Sequence, residues 1–161
     1  MNAEKYIQAY NHLMQHLHDV LGDSNYSTTD ALAIAKTKTS ELNNLTAEEV
    51  DKISHFVSRD VDHAATTIEH HHSAGFSDWL KFDIDLLENF ALDAFMSVAD
   101  KTRLELALLE EKARNYHPYH SGDITGPGTF LCQECNKTLA FKSTSQLPLC
   151  PNCKTNTFIR S

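Results

Sequence analysis

The chain has 161 residues, 41% of them hydrophobic, enough for one ordinary domain with a small appended module. Its formal net charge of −8 is uneven: residues 1–116 carry −10, Asp123 adds one more negative charge, and residues 129–161 carry +3. So apolar a composition excludes wholesale disorder, and the acidic N-terminal part repels phosphate backbones and is not suited to wrapping DNA.

No run approaches the ~18 apolar residues of a membrane span. Met1 to Lys5 lacks the charged-then-apolar order of a secretory signal. The expected location is therefore cytoplasmic, away from membranes.

In chain order, Tyr6, Tyr10, Leu13, Leu17 and Val20 recur at a 4-3-4-3 spacing, a heptad-like, coiled-coil type of stripe along one helix face. Gly22 with Asp23-Ser24-Asn25 stops that helix. A second helix is expected from Thr28–Asp30 to about Asn44, with a weaker stripe of Leu32, Ala35, Thr39 and Leu42. Thr46 to Glu49 reads as a capping box opening a third helix, whose face carries Val50, Ile53, Val57, Val61, Ala64 and Ile68. Gly75 ends it, and Ser77-Asp78 can start a fourth, with Trp79, Phe82, Leu86, Phe90, Ala94 and Val98 on one side. The stripe loses phase at 100–102, so a break there and a continuation to about Asn115 both remain open. An unbroken helix over 78–115 would be roughly 57 Å long.

At His117-Pro118 the texture changes to turn signals, Ser121-Gly122 and Gly126-Pro127-Gly128, and then to short β-type runs at 129–131, 139–141 and 157–159. The expected fold class is mainly α, an elongated antiparallel helical hairpin or bundle over 1–116. A connector at 117–128 and a small three-stranded β ribbon at 129–161 follow.

All four cysteines lie in that last part, as Cys132-Gln-Glu-Cys135 and Cys150-Pro-Asn-Cys153 with fourteen residues between. Two such turns each present two sulfurs, and together they can complete a tetrahedron around Zn2+ with Zn–S of about 2.3 Å. Thirty-odd residues bury too little apolar surface to fold alone, whereas zinc-finger peptides gain roughly 10–16 kcal/mol from metal. One structural zinc on Cys132, Cys135, Cys150 and Cys153 is the leading reading. Two disulfides and rubredoxin-like iron stand behind it, and a thioredoxin-type redox pair further back. Four protein sulfurs close the coordination shell, leaving no position for substrate.

Tyr119-His-Ser-Gly-Asp123, the Gly126-Pro-Gly128 turn, Cys132-x-x-Cys135 and Leu147-Pro-Leu-Cys150-Pro-Asn-Cys153 together resemble a bacterial zinc-ribbon-containing domain family of unknown function. The resemblance implies an acidic helical N-terminal part, a cytosolic bacterial protein and zinc on the four cysteines. It implies no activity.

Other residue groups carry weaker readings. Glu69 with His70, His71 and His72, and Asp60 with His63, offer metal-ligand types, but consecutive histidines fan out by ~100° each and cannot converge on one ion. His12 and His16 share a face, with His18 beside them; exposed or edge histidines are the default. Tyr119 to Asp123 holds the residue types of a hydrolase without an assembled triad, and is expected to pack ribbon against helices. Lys137, Lys142, Lys154 and Arg160, interleaved with Phe130, Phe141 and Phe158, could touch nucleic acid, although the phenylalanines suit the ribbon's own core.

The function expected is non-enzymatic: an interaction or adaptor protein whose helical faces, with Tyr6, Tyr10 and Trp79, meet a protein partner or a second copy. The alternative is an accessory factor contacting nucleic acid, the transcription machinery or the ribosome through the ribbon. No small-molecule substrate is implied. The helices are expected to survive loss of the ribbon's metal.

Overall fold

The computed structural model describes residues 3–22, 27–70, 79–82, 84–88, 90–102 and 119–160, with backbone alone at 28–29, 65–70 and 100–102. Four α-helices have their starts within this set. Helix α1 (Ala3–Leu21) buries Ala9, Tyr10, Leu13, Met14, Leu17 and Val20, so the heptad-like stripe faces inward with two neighbours filling its flank. Tyr6 packs half-buried at its edge.

Helix α2 (Thr28–Asn43) starts on Ser27, whose hydroxyl accepts the Asp30 amide, and ends at Asn44 in the left-handed conformation (φ 53°). Its inward face is Ala31, Ala35 and Thr39. Such small side chains let it lie close against α1. Leu42, expected on that stripe, is 61% exposed; Leu45, just past the helix end, is buried instead.

Helix α3 (Ala47–His70) opens on the expected capping box: the Thr46 hydroxyl accepts the Glu49 amide at 3.1 Å, and the Thr46 amide donates to the Glu49 carboxylate at 3.4 Å. Val50, Ile53, Val57, Val61 and Ala64 are buried. Beside them Arg59 and Asp60 are buried too, both carrying charge into the interior. The side chain of Ile68, the helix end expected at Gly75 and the helix start expected at Ser77-Asp78 lie outside the described residues.

The expected single face from Trp79 to Val98 is broken. Lys81 takes a left-handed φ of 65°, Ile84–Leu86 form one 3-10 turn, and helix α4 (Leu92–Thr102) starts only afterwards. Leu86, expected inside, is 46% exposed. The physical reason is competition for backbone groups. The Leu80 carbonyl accepts the Thr129 hydroxyl at 2.7 Å and the Glu88 amide donates to the Lys142 carbonyl at 2.8 Å, both partners coming from the C-terminal part. At the other end, α4 runs unbroken through residues 100–102 to the edge of the described set.

Six short strands follow: β1 (Tyr119–His120), β2 (Ile124–Thr125), β3 (Gly128–Cys132), β4 (Thr138–Phe141), β5 (Ser145–Gln146) and β6 (Thr157–Arg160). The expected three-stranded ribbon is instead a four-stranded antiparallel sheet in the order β1-β6-β3-β4, with a two-stranded sheet of β2 and β5 beside it. The extra strand comes from the stretch read as connector: Tyr119 stands opposite Phe158.

Helix α1 packs on α2, α3 and α4, and on β2 and β5. One apolar cluster joins the helices with Trp79, Leu80 and Ile124; a second joins Tyr119, Phe130, Cys132, Leu147, Cys150 and Phe158.

Candidate metal centre

Strand β3 delivers Cys132 to the end of the sheet, and the chain turns immediately. The Asn136 amide donates to the Cys132 carbonyl at 3.0 Å, and the Cys132 amide donates to the Lys137 carbonyl at 2.9 Å. The second knuckle repeats this pattern. The Lys154 amide donates to the Cys150 carbonyl at 2.9 Å, and the Cys150 amide to the Thr155 carbonyl at 2.9 Å. Each turn closes on a left-handed residue, Asn136 (φ 61°) and Lys154 (φ 65°). Asn tolerates that conformation and Lys does not favour it, so the fold accepts strain at Lys154 to keep the second turn the same shape as the first.

Among the described residues these four thiols form a cluster able to hold a metal ion, with all four sulfurs within 4.8 Å of one another. Cys132 Sγ lies 3.5 Å from Cys153 Sγ, and Cys135 Sγ lies 3.5 Å from Cys150 Sγ. None is in a disulfide. A tetrahedron with Zn–S of about 2.3 Å has edges of roughly 3.8 Å, so the donor set fits a thiophilic four-coordinate cation.

Hydrogen bonds and crowding shift the four thiols in opposite directions. The Cys135 amide pulls the Cys132 thiol down, but burial and the neighbouring thiols outweigh it, and Cys132 is raised to about 11. The other three are lowered: Cys135 chiefly by the Asn152 side chain, Cys150 chiefly by the Cys153 amide, and Cys153 chiefly by the Thr155 hydroxyl, 3.2 Å away. Sulfurs this close resist simultaneous ionisation. A central divalent cation removes that conflict.

A second cluster, of buried charge, joins α3 to the sheet, and sequence reasoning missed it. Asp60, fully buried in α3, accepts from the Tyr10 hydroxyl at 2.5 Å, the Tyr119 hydroxyl at 2.7 Å and the Gly126 amide at 2.9 Å. Tyr10 and Gly126 share Oδ2; Oδ1, which takes the Tyr119 hydroxyl, also has Arg59 at 3.5 Å and Arg160 at 3.4 Å. Burial pushes the Asp60 carboxyl up, but Arg59, Arg160, the Tyr10 hydroxyl and the Gly126 amide overcome it and hold it below the usual carboxylate range. Arg160 donates to the Pro127 carbonyl at 2.8 Å and stacks 4.3 Å over the Trp79 ring. Arg59 reaches Asp123 at 3.0 Å and the Ile124 carbonyl at 3.2 Å, 3.8 Å over the Tyr119 ring. The available signal was Asp60, three residues after Val57 and four before Ala64, a carboxylate at the edge of the apolar stripe.

The remaining sequence candidates sort against this geometry. Asp60 and His63 do not form a metal pair: Asp60 is committed as above, and the His63 ring accepts the Trp79 indole N–H at 3.0 Å. His12 contacts Asn43 at 3.1 Å and stacks on His16 at 6.3 Å between ring centroids. Burial lowers the His16 pKa. Glu69 to His72 lies outside the described side chains. In the Tyr119 to Asp123 loop, Ser121 donates to the Pro148 carbonyl and Asp123 accepts from Arg59 and the His120 amide, so its polar groups fasten the loop and form no triad. Lys137, Lys142 and Lys154 are exposed, whereas Arg160 is interior and does not belong to a basic surface. Phe130 and Phe158 are core, with Phe141 packed against them. A cleft of about 360 Å³ separates the first turns of α3 from the loop, lined among others by Tyr6, Glu49, Lys52, Phe56 and Ser121.

A family model described as a zinc-ribbon containing domain matches residues 15–161. Over 161 residues the chain is 26% identical to YbeL, an uncharacterized protein of Escherichia coli strain K12, covering 97% of this chain and 96% of that one. YbeL of the O6:H1 and O157:H7 strains matches with the same identity and coverage. No solved structure matches the chain.

Proposed function

The chain belongs to the zinc-ribbon containing domain family, and from that membership and the four-thiol cluster we propose a non-enzymatic, zinc-binding interaction protein. One structural Zn2+ is held by Cys132, Cys135, Cys150 and Cys153 and stiffens the end of the four-stranded sheet. The observation that carries this reading is the convergence of four sulfurs from two knuckles with the same hydrogen-bond pattern. Bound zinc supplies charge neutralisation and a rigid cross-link; the chain supplies the amide and hydroxyl donors that steady the thiolates.

Free thiols suit a reducing compartment, so we place the protein in the cytoplasm. Among the described residues no helix is long and apolar enough to cross a membrane. The partner is a protein or a second copy. The nucleic-acid alternative is weaker once Arg160 is taken from the surface. Lys137, Lys142 and Lys154 against Glu134 leave a small positive excess that a four-thiolate zinc centre cancels.

The test is elemental analysis of the purified full chain. The expected result is one zinc per chain, falling to a small fraction in Cys150→Ser. A wild-type preparation that neither retains nor takes up zinc overturns the reading.

A further inference from the structure

Asp60 is satisfied from two directions. Tyr10 and Arg59 reach it from the helices, while Tyr119, Gly126 and Arg160 reach it from the C-terminal part. The C-terminal partners are tied to the cysteines by continuous backbone. Strand β6, which ends at Arg160, begins four residues after Cys153 and lies against β3, where Phe158 stands opposite Cys132. Tyr119 pairs with that same Phe158 and packs edge-on to Phe130 at 5.1 Å. Two further bonds cross between the layers, Thr129 to the Leu80 carbonyl and Thr144 to Asn11 at 2.6 Å.

We propose that the four-thiol site controls the packing of the helices, with metal release transmitted through β3 and β6 to Tyr119 and Arg160 and from them to Asp60 in the middle of α3. The inference rests on the zinc reading above. A sheet without its cross-link loses β6 and β1 from register, and Asp60 then loses Tyr119 and Arg160 and keeps Tyr10, Arg59 and the Gly126 amide. Arg59 at the same time loses the Tyr119 ring on which it stacks at 3.8 Å. A buried carboxylate stripped of the Arg160 charge and the Tyr119 hydroxyl opposes the packed state, so the helices loosen rather than persist as a separate unit. The chain thereby reports zinc supply, or the reduced state of its thiols, as a change in its helical surface.

Trp79, the single tryptophan, is a built-in reporter, buried on the helical side and stacked on Arg160. The experiment titrates the zinc-loaded full chain with a chelator that signals released zinc, following far-ultraviolet helical signal and Trp79 emission together. The expected result is that zinc loss, loss of helical signal and a red shift of Trp79 share one midpoint and reverse on adding zinc. Zinc release with unchanged helical signal and emission overturns the inference and leaves the zinc reading standing. A chain that never holds zinc overturns both, and is recognised because the zinc signal itself is nil.

A second arm uses Tyr10→Phe, a change in α1 that removes one donor to Asp60. Coupling is reciprocal, so zinc affinity measured by competition should fall about fivefold or more. Independent layers would leave zinc affinity at the wild-type value, and that result overturns the proposal.

Discussion

Five groups converge on Asp60: two guanidinium groups, two hydroxyls and one amide. Its folded pKa lies below the ordinary 3.8, so the unfolded chain binds the proton more tightly than the folded one. The stabilisation this supplies is complete above the unfolded value and is lost as pH falls through the folded one. Urea midpoints of the wild type should therefore drop below about pH 4. Asp60→Asn should be less stable at neutral pH and show a flatter acid limb. An unchanged acid limb in the variant would show that another carboxylate governs it. The neighbouring glycines have a steric reason to be there. A Cβ at Gly128 would stand 1.9 Å from an Arg160 nitrogen already committed to the Pro127 carbonyl, and one at Gly126 would stand 2.9 Å from the Tyr10 hydroxyl. At this scale the cysteines were legible because their spacing is their chemistry. Arg160 was not, because one letter in a strand does not say which side of the sheet it faces, and the basic-surface reading failed on that point.

Helices α1 and α3 were legible as elements, since apolar period and capping signals are local properties of the chain. The capping box gives a prediction at this level. Thr46→Ala removes the acceptor for the Glu49 amide and should cost about 1 kcal/mol, read as a lowered urea midpoint at unchanged slope. A change in slope instead would mean that the start of α3 shapes the unfolded state. The segment from Trp79 to Val98 obeyed its period in sequence and not in space. Its backbone groups at Leu80 and Glu88 found partners in the C-terminal part, and a hydrogen bond to another element outweighs a modest local propensity. The fourth strand escaped notice for a related reason. Two residues, Tyr119 and His120, carry too short a pattern to announce a strand until β6 lies beside them.

At the scale of the molecule, charge separates the two layers, an acidic helical part beside a sheet whose exposed lysines are few. If a protein or a second copy is the partner, capture from a cell extract should persist at about 0.5 M salt, where exposed charge pairs are screened within a few ångströms. Retention of RNA or DNA with a steep loss on adding salt would favour the nucleic-acid alternative. What the amino-acid order alone determined acts over a few residues: where α1 runs, where α3 starts, and which four side chains could share a metal. Only the tertiary structure decided that Arg59, Asp60, Tyr119 and Arg160 meet, that α4 starts late, and that the ribbon is fastened to the helices by buried charge. The reason is that burial of a charge is settled by partners up to a hundred residues away, and no local pattern records whether those partners arrive.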